Sequence, residues 1–170
     1  AVSRTIVHAA ALKEMSPEEC LYFSNNLLCK DNENSMFVTL FYGILNTKTG
    51  EIKYSNAGHN PPYILEKDGG IILVEPTHDK VLGILEDIQF HSKTITLKSG
   101  DGLFLFTDGV TEAMNKDFEL FSEEKLEKLL AEIKDKDPKE IVESVNKAVE
   151  EHADSADQSD DITMLALRYV

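Results

Sequence analysis

No stretch of 18 or more apolar residues occurs in these 170 residues, so no transmembrane helix is predicted. No signal peptide is expected either. Cysteine is scarce, with Cys20 and Cys29 alone. Both fall in one predicted helical segment, too far apart to bridge if that helix is continuous, and neither has a metal-ligand spacing. Reduced thiols in a cytoplasmic protein are the expectation. Basic residues are few: 17 Lys and Arg against 31 Asp and Glu give a net charge of −14. That balance argues against a nucleic-acid backbone or an anionic membrane surface as partner. It leaves room for a phosphorylated substrate, provided a cation or a local Arg or Lys offsets the repulsion. Internal repeats, linkers and low-complexity tracts are absent, as are a P-loop, a dinucleotide fingerprint and a G-x-S-x-G elbow.

What is present is a globular balance, 42% hydrophobic and 28% charged, in a chain long enough for one domain over residues 1–170. Residues 2–14 read as helix, with Ile6, Val7, Ala10 and Ala11 on one face. Ser16-Pro17-Glu18-Glu19 starts a second helix, predicted to run to about Leu28, before a polar loop over Lys30 to Ser35. Phe37 to Leu45 reads as a buried strand, returned through Asn46 to Gly50 into Glu51 to Asn56. Tyr63 to Glu66 and Ile71 to Val74 form a second hairpin, and His91 to Leu97 a further strand. Leu103 to Thr107 follows the turn Ser99 to Gly102. Helices then start at Ser122 and at Asp137-Pro138, with Leu126, Leu129, Leu130 and Ile133, then Ile141, Val142, Val145, Ala148 and Val149, as their apolar faces. After a polar stretch from Ala153 to Asp161 comes a last strand, Ile162 to Tyr169. Antiparallel hairpins bracketed by helix pairs indicate an α+β fold.

Three stretches carry chemistry. In Leu103 to Gly109, LFLFTDG, a buried strand ends on the carboxylate of Asp108. A carboxylate there is costly unless neutralised, and a hard divalent cation would do so. The local pattern equally allows Asp108 to open a turn or cap a short helix, with Gly109 giving backbone freedom. Asp160 and Asp161 stand at the entrance to the last strand among Asp154 and Asp157. They either share a cation or form a solvated acidic loop. In Asn56 to Pro62, His59 is a ligand, a proton donor or a residue that orients its loop. The remaining histidines, His8, His78, His91 and His152, have no metal-like neighbour at i+4.

Read in order, MFVTLFYGILNTKTGEIKYSNAGHNPPYIL, VLGI, GDGLFLFTDGVTEAMN and SDDITMLALRY closely resemble the metal-dependent protein phosphatases of the type 2C group. Their bacterial sigma-factor-regulating branch, the sporulation and stress-response serine phosphatases, is the nearest likeness. The resemblance implies an antiparallel β-sandwich flanked by helix pairs, with acids at one edge holding two Mn²⁺ or Mg²⁺ ions. It implies direct attack of a metal-activated water on phosphoserine or phosphothreonine. Carried over, Asp108 and Asp160 are the catalytic metal ligands, and Gly109 and Asp161 lie beside them in the cofactor-binding site. The resemblance also implies that Gly83 in VLGI belongs to a region coupling regulation to the metal site. The implied substrate is a phosphorylated regulatory protein such as an anti-sigma-factor antagonist, and an upstream sensor domain is expected in the same polypeptide. The family's leading motif, an Asp and a Gly-containing turn before the first long helix, supplies the bridging ligand and has no counterpart here. The expectation is therefore a domain lacking its first strands, with an open sheet edge that invites pairing, as in a homodimer. The alternative is a catalytically inactive phosphatase-like binding module.

Overall fold

The computed structural model describes residues 2–30, 36–154, 156, 158 and 160–170. The expected polar loop at 31–35, and Asp157 of the acidic stretch, lie outside these residues. In chain order the first elements are α1 (Val2–Ala11), α2 (Pro17–Lys30), β1 (Leu40–Leu45), β2 (Glu51–Ala57), β3 (Tyr63–Leu65) and β4 (Ile71–Leu73). There follow β5 (Lys93–Thr96), β6 (Gly102–Phe106), α3 (Asp108–Thr111), α4 (Ser122–Ile133), α5 (Pro138–Ala153) and β7 (Met164–Arg168). They divide into two compact units, Ala1–Pro61 with Glu75–Thr96, and Pro62–Val74 with Leu97–Val170. Each unit holds one antiparallel sheet and a pair of longer helices, α1 with α2 in the first and α4 with α5 in the second, which also carries the one-turn α3; this is the expected α+β class. Among the described residues no helix is long and apolar enough to cross a membrane.

The first unit carries α1, α2 and a sheet ordered β1-β2-β5. Helix α2 starts where the capping residues place it: the Ser16 amide and hydroxyl both donate to Glu19 Oε2, at 2.9 and 2.7 Å. Leu21 from this helix packs with Ala57, Leu82 and Phe90. Strand β1 differs from its expected form. It begins at Leu40 rather than Phe37, and it lies at the sheet's edge, leaving Phe37 62% and Ile44 44% exposed. An apolar run does not reveal whether a strand has one neighbour or two. His91 likewise lies outside β5; its backbone N–H and Nδ1 meet the Asp79 carboxylate, at 3.0 and 2.7 Å.

Asn25 is fully buried on α2 and ties down the VLGI segment. Its Oδ1 accepts the Gly83 N–H at 2.9 Å, and its Nδ2 donates to the Leu85 carbonyl at 2.7 Å. Gly83 sits at φ +91°, a conformation that favours glycine. A polar residue on a helix gives no sequence signal of a tertiary bond to a loop about sixty positions away.

The second unit has the sheet order β4-β3-β6-β7. Strand β6 is internal, paired antiparallel with β3 on one side and β7 on the other, and both of its faces are largely buried, which is why its sequence is an unbroken apolar run. Phe104 and Phe106 lie in a core with Leu126, Leu130, Ile141 and Val145. Helix α5 opens with the expected capping box: Asp137 Oδ1 accepts the Lys139 N–H at 2.9 Å, and Glu140 Oε2 accepts the Asp137 N–H at 3.2 Å.

The end of β7 is fastened by Arg168. Its guanidinium donates to the carbonyls of Gly100, Lys134 and Lys136, at 2.7, 2.6 and 2.7 Å. Two of these acceptors lie just past α4, where backbone carbonyls have no partner within the helix. Arg168→Ala is expected to destabilise the protein by about 2 kcal/mol or more, since a hydrogen bond to a charged group contributes roughly 1.5–3 kcal/mol net of exchange with water. Arg168→Lys should recover only part of this, because an ammonium does not present a planar fork to three carbonyls. Urea unfolding reads both; an unchanged midpoint for the alanine variant would contradict the fastening role.

Candidate metal centre

The candidate site is built where two neighbouring strands meet their loops. At the end of β6 the chain turns into α3. Thr107 is the helix's N-cap, with φ −95° and ψ 160°. Its carbonyl accepts the Val110 N–H at 3.0 Å, and the Asp108 carbonyl accepts the Glu112 N–H at 2.8 Å. Asp108 thus opens a one-turn helix, the turn-opening geometry that the local pattern allows. Its side chain is nonetheless exposed, so the burial cost expected for a carboxylate at this strand end does not arise. Asp108 Oδ1 accepts the Gly109 N–H at 3.0 Å.

The entrance to β7 lies against this turn. Asp160 and Asp161 are both exposed, and Asp160 Oδ1 accepts the Asp161 N–H at 2.6 Å. The Thr107 hydroxyl donates to the Asp161 carbonyl at 2.8 Å, and the Thr107 N–H donates to the Thr163 carbonyl at 3.0 Å. Gly109 is the point of closest approach. A Cβ on it would stand 2.6 Å from the Asp161 carbonyl oxygen and 3.2 Å from that of Asp160. The structure therefore brings together the segments that carry all four predicted site residues, Asp108, Gly109, Asp160 and Asp161. Among the described residues no hydrogen bond engages the second oxygen of Asp108 or of Asp160.

Other acids and histidines have different uses. Asp154 is the left-handed C-cap of α5, and its carboxylate pairs with Lys116 at 3.0 Å. In the first unit the Asn56 side chain accepts the His59 N–H at 2.8 Å and donates to the His59 carbonyl at 2.9 Å. The His59 ring nitrogen Nδ1 lies 3.1 Å from the Thr39 hydroxyl. Asn56 thus orients this loop, one of the roles expected of His59. His152 Nε2 meets the Glu119 carbonyl at 3.0 Å, and its ring stands edge-on to Phe121. Among the described residues, no group of three or more His, Cys, Asp or Glu side chains gathers around one cation position.

In donor chemistry the site fits a hard divalent cation. It offers two carboxylates, each with an oxygen unengaged among the described residues, on abutting segments open to solvent. Thr107 was not singled out by the sequence, because a threonine before an Asp-Gly pair reads as an ordinary helix cap.

Residues 1–170 match the family model described as Stage II sporulation protein E (SpoIIE), and the chain belongs to that family. It is 31% identical over 153 residues to phosphoserine phosphatase RsbU of Bacillus subtilis, an alignment covering 89% of this chain and 45% of the relative. The chain spans less than half the length of the curated relatives it matches. Its structure is similar to the RsbU and RsbW domains of Rv1364c from Mycobacterium tuberculosis, with TM-score 0.79 and 26% identity over 98% of this chain and 45% of that one. It also shares the fold of the catalytic domain of the serine/threonine protein phosphatase PstP, solved with two manganese ions. There the TM-score is 0.66 and identity 16%, over 97% of this chain and 79% of the other.

Proposed function

We propose that this chain is the larger part of a cytoplasmic, metal-dependent serine/threonine protein phosphatase domain. Its substrate is a phosphoserine or phosphothreonine on a regulatory protein of the anti-sigma-factor-antagonist type. The observation that carries this reading is the abutment of the Asp108–Gly109 turn against Asp160 and Asp161. Membership of the SpoIIE family and the likeness to phosphoserine phosphatase RsbU support it.

Asp108 and Asp160 would hold Mn²⁺ or Mg²⁺ through carboxylate oxygens, with Gly109 and Asp161 shaping the backbone between them. When bound, such ions activate water and offset the charge of a phosphoryl group. The chain's own contribution is placement. The turn after β6 and the entrance to β7 carry the two acids on abutting segments, and their exposure admits a phosphate carried on a folded protein. With a net charge of −14, the chain has a general repulsion toward phosphate that a local cation must overcome. The relatives' greater length fits a sensor domain in the same polypeptide, and the half-exposed edge strand β1 fits pairing with a second copy.

A second reading, a phosphatase-like binding module that does no chemistry, is favoured by one observation: the described residues bring no third acid to the pair. Phosphate release from a phosphoserine protein by the full-length protein discriminates the two. Turnover that requires Mn²⁺ and stops with chelator is expected. No metal-dependent turnover would overturn the enzyme reading and leave the binding module.

A further inference from the structure

Thr107 uses its hydroxyl differently from what its place in the chain predicts. A threonine at an N-cap ordinarily turns its side chain to accept an N–H from the helix's first turn. Thr107 makes no such bond to α3. Its Oγ1 instead accepts the Thr163 N–H at 2.9 Å and donates its proton to the Asp161 carbonyl at 2.8 Å.

The backbone explains the exchange. The β6–β7 register ends on Phe106 opposite Met164, so Thr107 next faces Thr163. In an antiparallel ladder such a pair exchanges two N–H···O bonds. One is made, from the Thr107 N–H to the Thr163 carbonyl. The other is not available, because the Thr107 carbonyl is taken by Val110 as the chain bends into α3. The Thr107 hydroxyl stands in for the missing acceptor, and its own proton then fastens the residue that follows Asp160. One side chain thereby ties the acid-bearing entrance of β7 to the residue before Asp108.

We propose that Thr107 is a positioning residue for the candidate metal centre, its hydroxyl fixing the Asp160–Thr163 segment beside Asp108. This rests on the reading of Asp108 and Asp160 as metal ligands. Both partners of the hydroxyl lie near solvent, where water replaces a lost bond, so removing it disturbs placement more than folding. Groups that orient metal ligands in this way typically change metal affinity by roughly 10–100-fold when removed.

The test compares the full-length protein with its Thr107→Val and Thr107→Ser variants by amide hydrogen exchange over Asp160 to Met164 and by calorimetric titration with Mn²⁺. Valine keeps the shape and removes the hydroxyl. It is expected to speed exchange in this segment about tenfold and to weaken Mn²⁺ binding about tenfold. Serine keeps the hydroxyl and is expected to hold both within about twofold of the unchanged protein. Equal behaviour of the valine and serine variants in both measurements would overturn the proposal. Failure of the unchanged protein to bind Mn²⁺ would instead sink the ligand reading, and the exchange measurement alone then decides whether Thr107 fixes the segment.

Discussion

Asp108→Asn is expected to lower Mn²⁺-dependent phosphate release by the full-length protein by about three orders of magnitude, with its thermal midpoint almost unmoved. The two halves of that expectation have separate causes. Asp108 is exposed, and its recorded side-chain hydrogen bond is from its neighbour's N–H to Oδ1, which an asparagine carbonyl retains. Substitutions at such surface positions usually stay within about 0.5 kcal/mol. The charge, by contrast, is what a hard cation requires, and a bound metal contributes several kcal/mol to the transition state. Losing about 4 kcal/mol corresponds to roughly a thousandfold in rate. Phosphate release and a calorimetric melt on the same preparation check both halves. Retained metal-dependent turnover in the variant would remove Asp108 from the site.

Gly109→Ala should damage fold and activity together. The added Cβ would stand 2.6 Å from the Asp161 carbonyl oxygen, 3.0 Å from its carbon and 3.2 Å from the Asp160 carbonyl oxygen. All three are backbone atoms, so no rotamer change relieves the contact. Either α3 tilts or the β7 entrance moves away, and both motions part Asp108 from Asp160. Overpacking of this kind costs about 1–3 kcal/mol of stability. A displacement approaching 1 Å in a reacting constellation lowers turnover about a hundredfold. Urea unfolding with phosphate release distinguishes this variant from Asp108→Asn, in which stability is kept. A Gly109→Ala protein of unchanged stability would show that the two segments do not approach this closely.

Much of the secondary structure was legible because it is written locally. The capping residues at Ser16 and Asp137, the hairpin turn at Asn46 to Gly50 and the apolar run of β6 each report a rule that acts within a few residues. Strand β1 was misjudged because burial is not local. Its apolar residues fit an internal strand, yet the sheet order places it at an edge. Asn25 was invisible for the same reason: the bonds that hold the VLGI segment join α2 to residues about sixty positions on. At the site, the sequence named Asp108 and Asp160 through their resemblance to a family pattern, with their local surroundings leaving turn and ligand equally open.

By itself the sequence singled out the candidate residues: an acid after one apolar strand and two before another, a glycine beside the first, and a charge balance that calls for a cation wherever phosphate binds. Tertiary structure alone decided that the acid-bearing segments meet. Thr107 and Asp161 are 54 positions apart in the chain, and they meet because β6 and β7 pair antiparallel and their ladder runs out at that point. The bend into α3 takes the Thr107 carbonyl out of the ladder, and its hydroxyl becomes the acceptor that Thr163 needs. Which backbone group is left without a partner depends on the pairing of distant strands, and no local pattern encodes it.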